Sequence, residues 1–249
     1  VKKAEAYRRT LRTLADWDAY LLQESGLPGP RGNLELAHVV AEEGDREVFE
    51  RYLAYGAQVA PTNTPQEFLA FCGVLGLGKL CVEGELEAMA RLRGFASDPR
   101  WRIREAVAMA LQRVGEADMD ALLTEMESWS RGSFLEQRAA AAALCHPDLL
   151  RDKNQAEKVL QLLDTITNSL LEVEERKSGE FAALRKGLGY CWSVAVSALP
   201  EVGKEMMERW FAHDDRDVRW IMKQNLSKKR LERMDAAWVA AWKLQLGRR

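Results

Sequence analysis

Proline is scarce, at 7 of 249 residues, and the 17 glycines follow no period, so collagen-like and low-complexity classes are excluded. Histidine occurs only as His38, His146 and His213, far apart along the chain. The four cysteines, Cys72, Cys81, Cys145 and Cys191, form no close pair. Adjacent side chains such as Cys145 and His146 rarely reach one ion, so no metal site and no cofactor are expected. Cysteines set in apolar helical runs read as buried free thiols, which suits a reducing, cytoplasmic setting. Charge of one sign is also missing: 36 Lys and Arg stand against 38 Asp and Glu, so the whole molecule is no obvious binder of polyanions. No uninterrupted apolar run approaches the roughly 18 residues of a membrane span. The start, basic and amphipathic with Glu5 inside it, lacks the apolar core of a signal peptide and reads as a first helix. No membrane partner is therefore expected. Gly73, Gly76 and Gly78 lie inside a helical pattern and follow no strand, so they read as close-packing positions rather than a phosphate loop.

What is present is apolar spacing of the helical kind nearly everywhere, in a chain 47% hydrophobic and 30% charged. The pattern predicts a first helix over about Lys3 to Gln23, broken by the two prolines and three glycines between Gly26 and Asn33. A helix pair follows over about 34–43 and 46–55. Thr64, Pro65 and Glu67 form a helix start, with Thr64 as cap, Pro65 in the first turn and Glu67 closing a capping box, and that helix runs to about Val82. Further helices are predicted over about 85–92, 97–114, 119–128, 134–145, 155–169, 181–199, 204–212, 217–226 and 233–246. Ser133 with Glu136 makes a second capping box.

Internal repetition carries the fold assignment. Segments beginning at Trp101, Phe134, Phe181 and Asp217 look alike, and their aligned arginines, Arg104, Arg138, Arg185 and Arg219, are 34, 47 and 34 residues apart. The longer interval coincides with the polar stretch Glu172 to Glu180, expected as a longer loop or extended helix ends. Small residues follow Arg104, Arg138 and Arg185, among them Ala106, Ala139, Gly187 and Gly189, and let neighbouring helices approach closely. A repeat of this kind cannot bury its apolar stripe alone, so neighbours must cover it.

These segments resemble HEAT repeats, most closely where Asp98 and Pro99 are followed by Arg104. The resemblance implies an all-α, right-handed α-α superhelix, a solenoid of antiparallel helix pairs. It implies a single domain over 1–249: a capping helix and loop over 1–33, repeats over 34–230 and a C-terminal capping helix over 231–249. It also implies that the aspartate and arginine tie neighbouring repeats together by polar contacts.

Equivalent faces of stacked repeats line up, so Trp101, Glu105, Arg138, Lys186, Tyr190, Trp220 and Lys223 are expected on one concave surface, with Trp192 near Tyr190. The alternative is that Trp101, Trp192 and Trp220 are packing residues, that the arginines bridge layers, and that Glu105 is a first-turn carboxylate favoured by the helix dipole. Residues 177–249 hold 15 Lys and Arg against 9 Asp and Glu, concentrated at Lys223, Lys228, Lys229, Arg230, Arg233, Arg248 and Arg249. That excess suits phosphates or an acidic partner, or equally a solvated helix terminus. The expected function is a non-enzymatic one, binding a protein or other macromolecular partner on the concave face.

The segments at Phe134 to Leu144 and Arg185 to Trp192 also look like the DNA alkylation repair family of HEAT-like alkylpurine DNA glycosylases. That resemblance implies duplex DNA as partner. Glu105 would stand at the acidic catalytic position, Arg138 on a phosphate, and Trp101 and Tyr190 against the damaged nucleotide. Two positions depart from the family: glutamate replaces its aspartate at 105, and tyrosine its tryptophan at 190.

Overall fold

A computed structural model describes residues 2–247. Among them are fifteen α-helices, two short 3-10 turns and no strand, so the chain is all-α. They form two compact units that meet in sequence at Ala117 and Asp118.

The first unit contains α1 (Lys2–Thr13), α2 (Asp18–Glu24), α3 (Leu34–Glu43), α4 (Arg46–Leu53), α5 (Pro65–Val82), α6 (Ala88–Phe95) and α7 (Trp101–Ala117). The single first helix expected from the pattern is two, because the chain turns at 14–17, where the Trp17 indole N–H donates to the Leu11 carbonyl at 2.9 Å. Helix α5 is the centre of the unit and packs on α2, α3, α4, α6 and α7. By length and mean hydropathy it would qualify as a membrane span, contrary to the expectation of no such stretch, yet 72% of it is buried against its neighbours. A helix covered by protein on every side has no need of a polar face.

Its glycines explain how it is covered. A Cβ at Gly76 would lie 2.2 Å from the Phe49 ring of α4, one at Gly73 would lie 3.0 Å from Leu53 N, and one at Gly78 2.7 Å from the Ala110 carbonyl of α7. The close-packing role expected of these residues is what they perform. The α5 cap is only half the expected box. Thr64 accepts from Glu67 N, but the Glu67 carboxylate turns to the N–H of Asn63, at 2.7 Å, and away from Thr64.

The second unit contains α8 (Met119–Trp129), α9 (Phe134–Leu144), α10 (Lys153–Ser169), α11 (Gly179–Ala198), α12 (Pro200–Phe211), α13 (Arg216–Leu226), α14 (Lys229–Met234) and α15 (Ala236–Gly247). The helices that carry the aligned Arg138, Arg185 and Arg219 are neighbours: α11 packs between α9 and α13. On the other side α10 packs on both α8 and α12. Ser133 and Glu136 form the reciprocal capping box expected of them. Trp129 and Trp192 are fully buried. Buried Asn225, for which no pattern in the sequence calls, accepts from Ser193 N and donates to the Leu188 and Ile221 carbonyls, pinning α13 to α11. The last predicted helix, over about 233–246, is α15, which starts after Asp235, whose carboxylate accepts from Trp238 N; the short α14 before it was not predicted. Arg248 and Arg249, part of the expected basic stretch, lie outside the described residues.

The polar stretch between α10 and α11 is more than a loop. Arg176 donates to Asp215 at 2.6 Å, to Asp217 at 3.1 Å and to the Val173 and Leu170 carbonyls. Arg185 of α11 pairs with the same Asp217 at 2.8 Å. The Asp217 carboxylate thus ties α13 both to α11 and to the segment before it. At Asp98 the partner is Arg100, which grips it through Nε and Nη2 and also reaches the Tyr55 and Ala60 carbonyls. Arg104 folds back on the Asp98 and Pro99 carbonyls.

Partial burial pushes the Asp215 carboxyl up, but the Val218 N–H, Arg176 and the Asp217 N–H outweigh it and hold it below the usual range. A depressed folded-state value contributes stability above the unfolded value, near pH 4, that is lost as pH falls through the folded one. Arg176→Gln is therefore expected to lower stability at pH 7. Its deficit against the parent should narrow below about pH 4 in urea titrations. A deficit that is constant with pH would show that Arg176 acts by packing alone.

Candidate functional site

Two sets of side chains stand out, one in each unit. In the second unit, cations of α11 and of the segment 228–230 lie against aromatic rings of α13 and α11, with Arg138 of α9 beside them. The Arg138 stem lies over Gly187, where a Cβ would be 3.5 Å from its Cγ. The Arg185 guanidinium, aligned by Asp217, stacks 3.9 Å above the Trp220 ring. Gly189 admits that indole: a Cβ there would come 3.1 Å from Trp220 Cζ3 and 3.2 Å from Gln224 Cβ. Tyr190, 46% exposed, receives a hydrogen bond from Arg230, whose guanidinium lies 4.7 Å from its ring centroid, with Lys228 at 5.8 Å. Lys186, one turn before Tyr190, and Lys223 on α13 are exposed. A guanidinium on an aromatic face gives up little freedom on meeting an anion, because its plane is already set.

In the first unit, Trp101 opens α7 and Glu105 follows one turn later, both on the wall of a cavity of about 220 Å³. Leu27, Leu34, Phe68, Phe71 and Met109 supply most of the remaining apolar surface. Glu67 and Arg102 also line it. Glu67 is fully buried and Arg102 is 7% exposed. Arg102 Nη1 donates to Glu67 Oε2 at 3.2 Å, and Nη2 donates to the Gly29 carbonyl at 2.7 Å and to Asn63 Oδ1 at 3.3 Å. Asn63 has a left-handed φ of 68° and in turn accepts from Gly29 N. This node fastens the segment before α3 to α5 and α7 and so forms one lip of the cavity. Trp101 is 47% exposed, with the Arg102 guanidinium 4.5 Å from its ring centroid.

Of the residues expected on one face, Trp101 and Glu105 therefore stand in the first unit, and Arg138, Lys186, Tyr190, Trp220 and Lys223 in the second. Trp192 belongs to the core, donating to Thr167 Oγ1, whereas Trp101 and Trp220 do not. Sequence reasoning missed Glu67 and Arg102. The available signal was position: Arg102 precedes the buried Ala106 by four residues, so it shares that helix face.

Together these features define an all-helical protein with a cationic, aromatic helix row and a separate lined cavity. No family model, curated protein or solved structure matches the chain. Among the described residues no three His, Cys, Asp or Glu side chains gather as a metal site would require.

Proposed function

We propose that this chain is a HEAT-like helical-repeat protein that has no catalytic activity of its own and binds a macromolecular polyanion, duplex DNA, along the α9, α11 and α13 row. The observation that carries the reading is the pairing of cations with aromatic planes around α11: Arg185 of α11 on Trp220 of α13, and Arg230 of α14 on Tyr190 of α11, flanked by exposed Lys186 and Lys223. The recurrence of the arginine segments at intervals of 34, 47 and 34 residues supports the solenoid. A regular row of cations suits a regular row of phosphates, and the slight overall negative charge confines that contact to this surface.

Anisotropy of a labelled duplex across a salt series tests it. Binding should weaken with salt, and Lys186→Ala with Lys223→Ala should lower the slope of log Kd against log salt by roughly two, about one per lost phosphate contact. Absent or salt-insensitive binding would dismiss DNA as the partner and leave a protein partner for the same face. Release of a methylated purine from alkylated duplex would make the protein a glycosylase, with Glu105 as its acidic group.

A further inference from the structure

The first-unit cavity has one kind of residue at its floor and another at its rim. Leu27, Phe68 and Phe71 line it and are almost wholly buried, so they form the floor, with the partly buried Met109 beside them. Pro30, Arg31, Leu34 and Trp101 line it and are exposed, so they form the rim. The surface inside is mainly apolar. An apolar cavity of about 150 Å³ already takes a benzene ring, so about 220 Å³ admits one ring and a short tail. Leu34 and Trp101 are among the large apolar side chains that the fold leaves open to solvent, and a ring entering between them would cover part of both.

Charge at the rim sets the sign of the tail. Four charged residues line the cavity, Arg31, Glu67, Arg102 and Glu105. Glu67 and Arg102 are buried and paired with each other, so neither offers its charge to a guest. Glu105 also has a partner. The Arg31 side chain is exposed and, among the described residues, has no hydrogen-bond or ion-pair partner. Residues 30–32 all line the cavity, so the backbone follows the rim and tethers the Arg31 guanidinium at the mouth on a long, flexible stem. Of the two cations, Arg31 alone is unanswered. A carboxylate left at the rim meets that cation while it stays in water, so it avoids the cost of burying a charge. We propose that this cavity binds a small ring-bearing carboxylate, with its ring on the apolar floor and its carboxylate at the rim beside Arg31.

Phenylacetate, phenylacetamide and acetate separate the ring from the charge. Phenylacetamide keeps the ring and shape without the charge, and acetate keeps the charge without the ring. Calorimetric titration of the full chain in low salt, with ligand-observed NMR for weak binding, should give phenylacetate a Kd roughly fivefold below that of phenylacetamide, the upper range for an ion pair in contact with water. The two should converge in about 1 M salt, where the pair is screened. Acetate, with no ring to bury, should not bind measurably. Arg31→Gln should remove the preference and Arg31→Glu should reverse it. Both change an exposed side chain without partners in a loop, so folding is not at stake. Met109→Trp fills the cavity from its wall and should weaken both ring compounds alike. Equal affinity for phenylacetate and phenylacetamide in low salt, a preference that survives Arg31→Gln, acetate binding as tightly as phenylacetate, or no binding of phenylacetate would each overturn the proposal.

Discussion

Glu67→Ala is expected to destabilise the protein by about 3–5 kcal/mol, measured by urea unfolding at neutral pH and followed by far-UV circular dichroism. The magnitude comes from what the substitution leaves behind. Arg102 is buried, and its guanidinium faces Glu67, the Gly29 carbonyl and Asn63 Oδ1. Without the carboxylate its charge sits in a low-dielectric setting with two neutral acceptors and no counter-charge. Asn63 N also loses the 2.7 Å bond that Glu67 supplies at the head of α5. The pair itself contributes little net stability, since both charges must be stripped of water to form it. The double variant Glu67→Leu with Arg102→Met should therefore recover most of the loss. If Glu67→Ala costs under about 1 kcal/mol, the carboxylate is not the buried counter-charge described.

Gly78→Ala should cost about 3 kcal/mol, at the upper end of what an added methyl group does in a filled core. The obstacle is backbone: the new Cβ would stand 2.7 Å from the Ala110 carbonyl oxygen and 2.8 Å from Ala110 Cα. No rotamer change relieves that contact, so α5 and α7 must separate along their shared face. Gly94→Ala is the internal control. Gly94 lies in α6, is exposed, and has nothing within 4 Å of the position a Cβ would take. There the same substitution removes backbone freedom from the unfolded chain and should stabilise by about 0.5–1 kcal/mol. Thermal melts of the two variants should shift in opposite directions. A neutral Gly78→Ala would mean that the two helices are not held at this distance.

Much of the helical framework was legible in advance because its causes are local. Ser133 and Glu136 cap α9 through contacts three residues apart, and Pro65 sits in the first turn of α5, so neither depends on the rest of the fold. Where a cause was not local, reading failed. The break at 14–17 interrupts continuous apolar spacing, and only the packed helices show where the chain must turn. Glu67 illustrates the same limit: its position three residues after Thr64 favours a capping box, but Arg102, thirty-five residues on, draws the carboxylate elsewhere.

The site divides in the same way. Arg138, Lys186, Tyr190, Trp220 and Lys223 were expected together with Trp101 and Glu105 from segments that look alike, and the helices that carry the first five, α9, α11 and α13, do pack side by side. That Arg185 lies on Trp220, that Arg230 returns from beyond α13 to Tyr190, and that Asp217 serves both Arg176 and Arg185 are decisions of tertiary packing. By itself the sequence determined that the chain is helical and where most helices start, since period and spacing act within a few turns. Only the folded chain decided which charges meet and which polar atoms are left without partners, because those depend on distances between residues that share nothing along the chain.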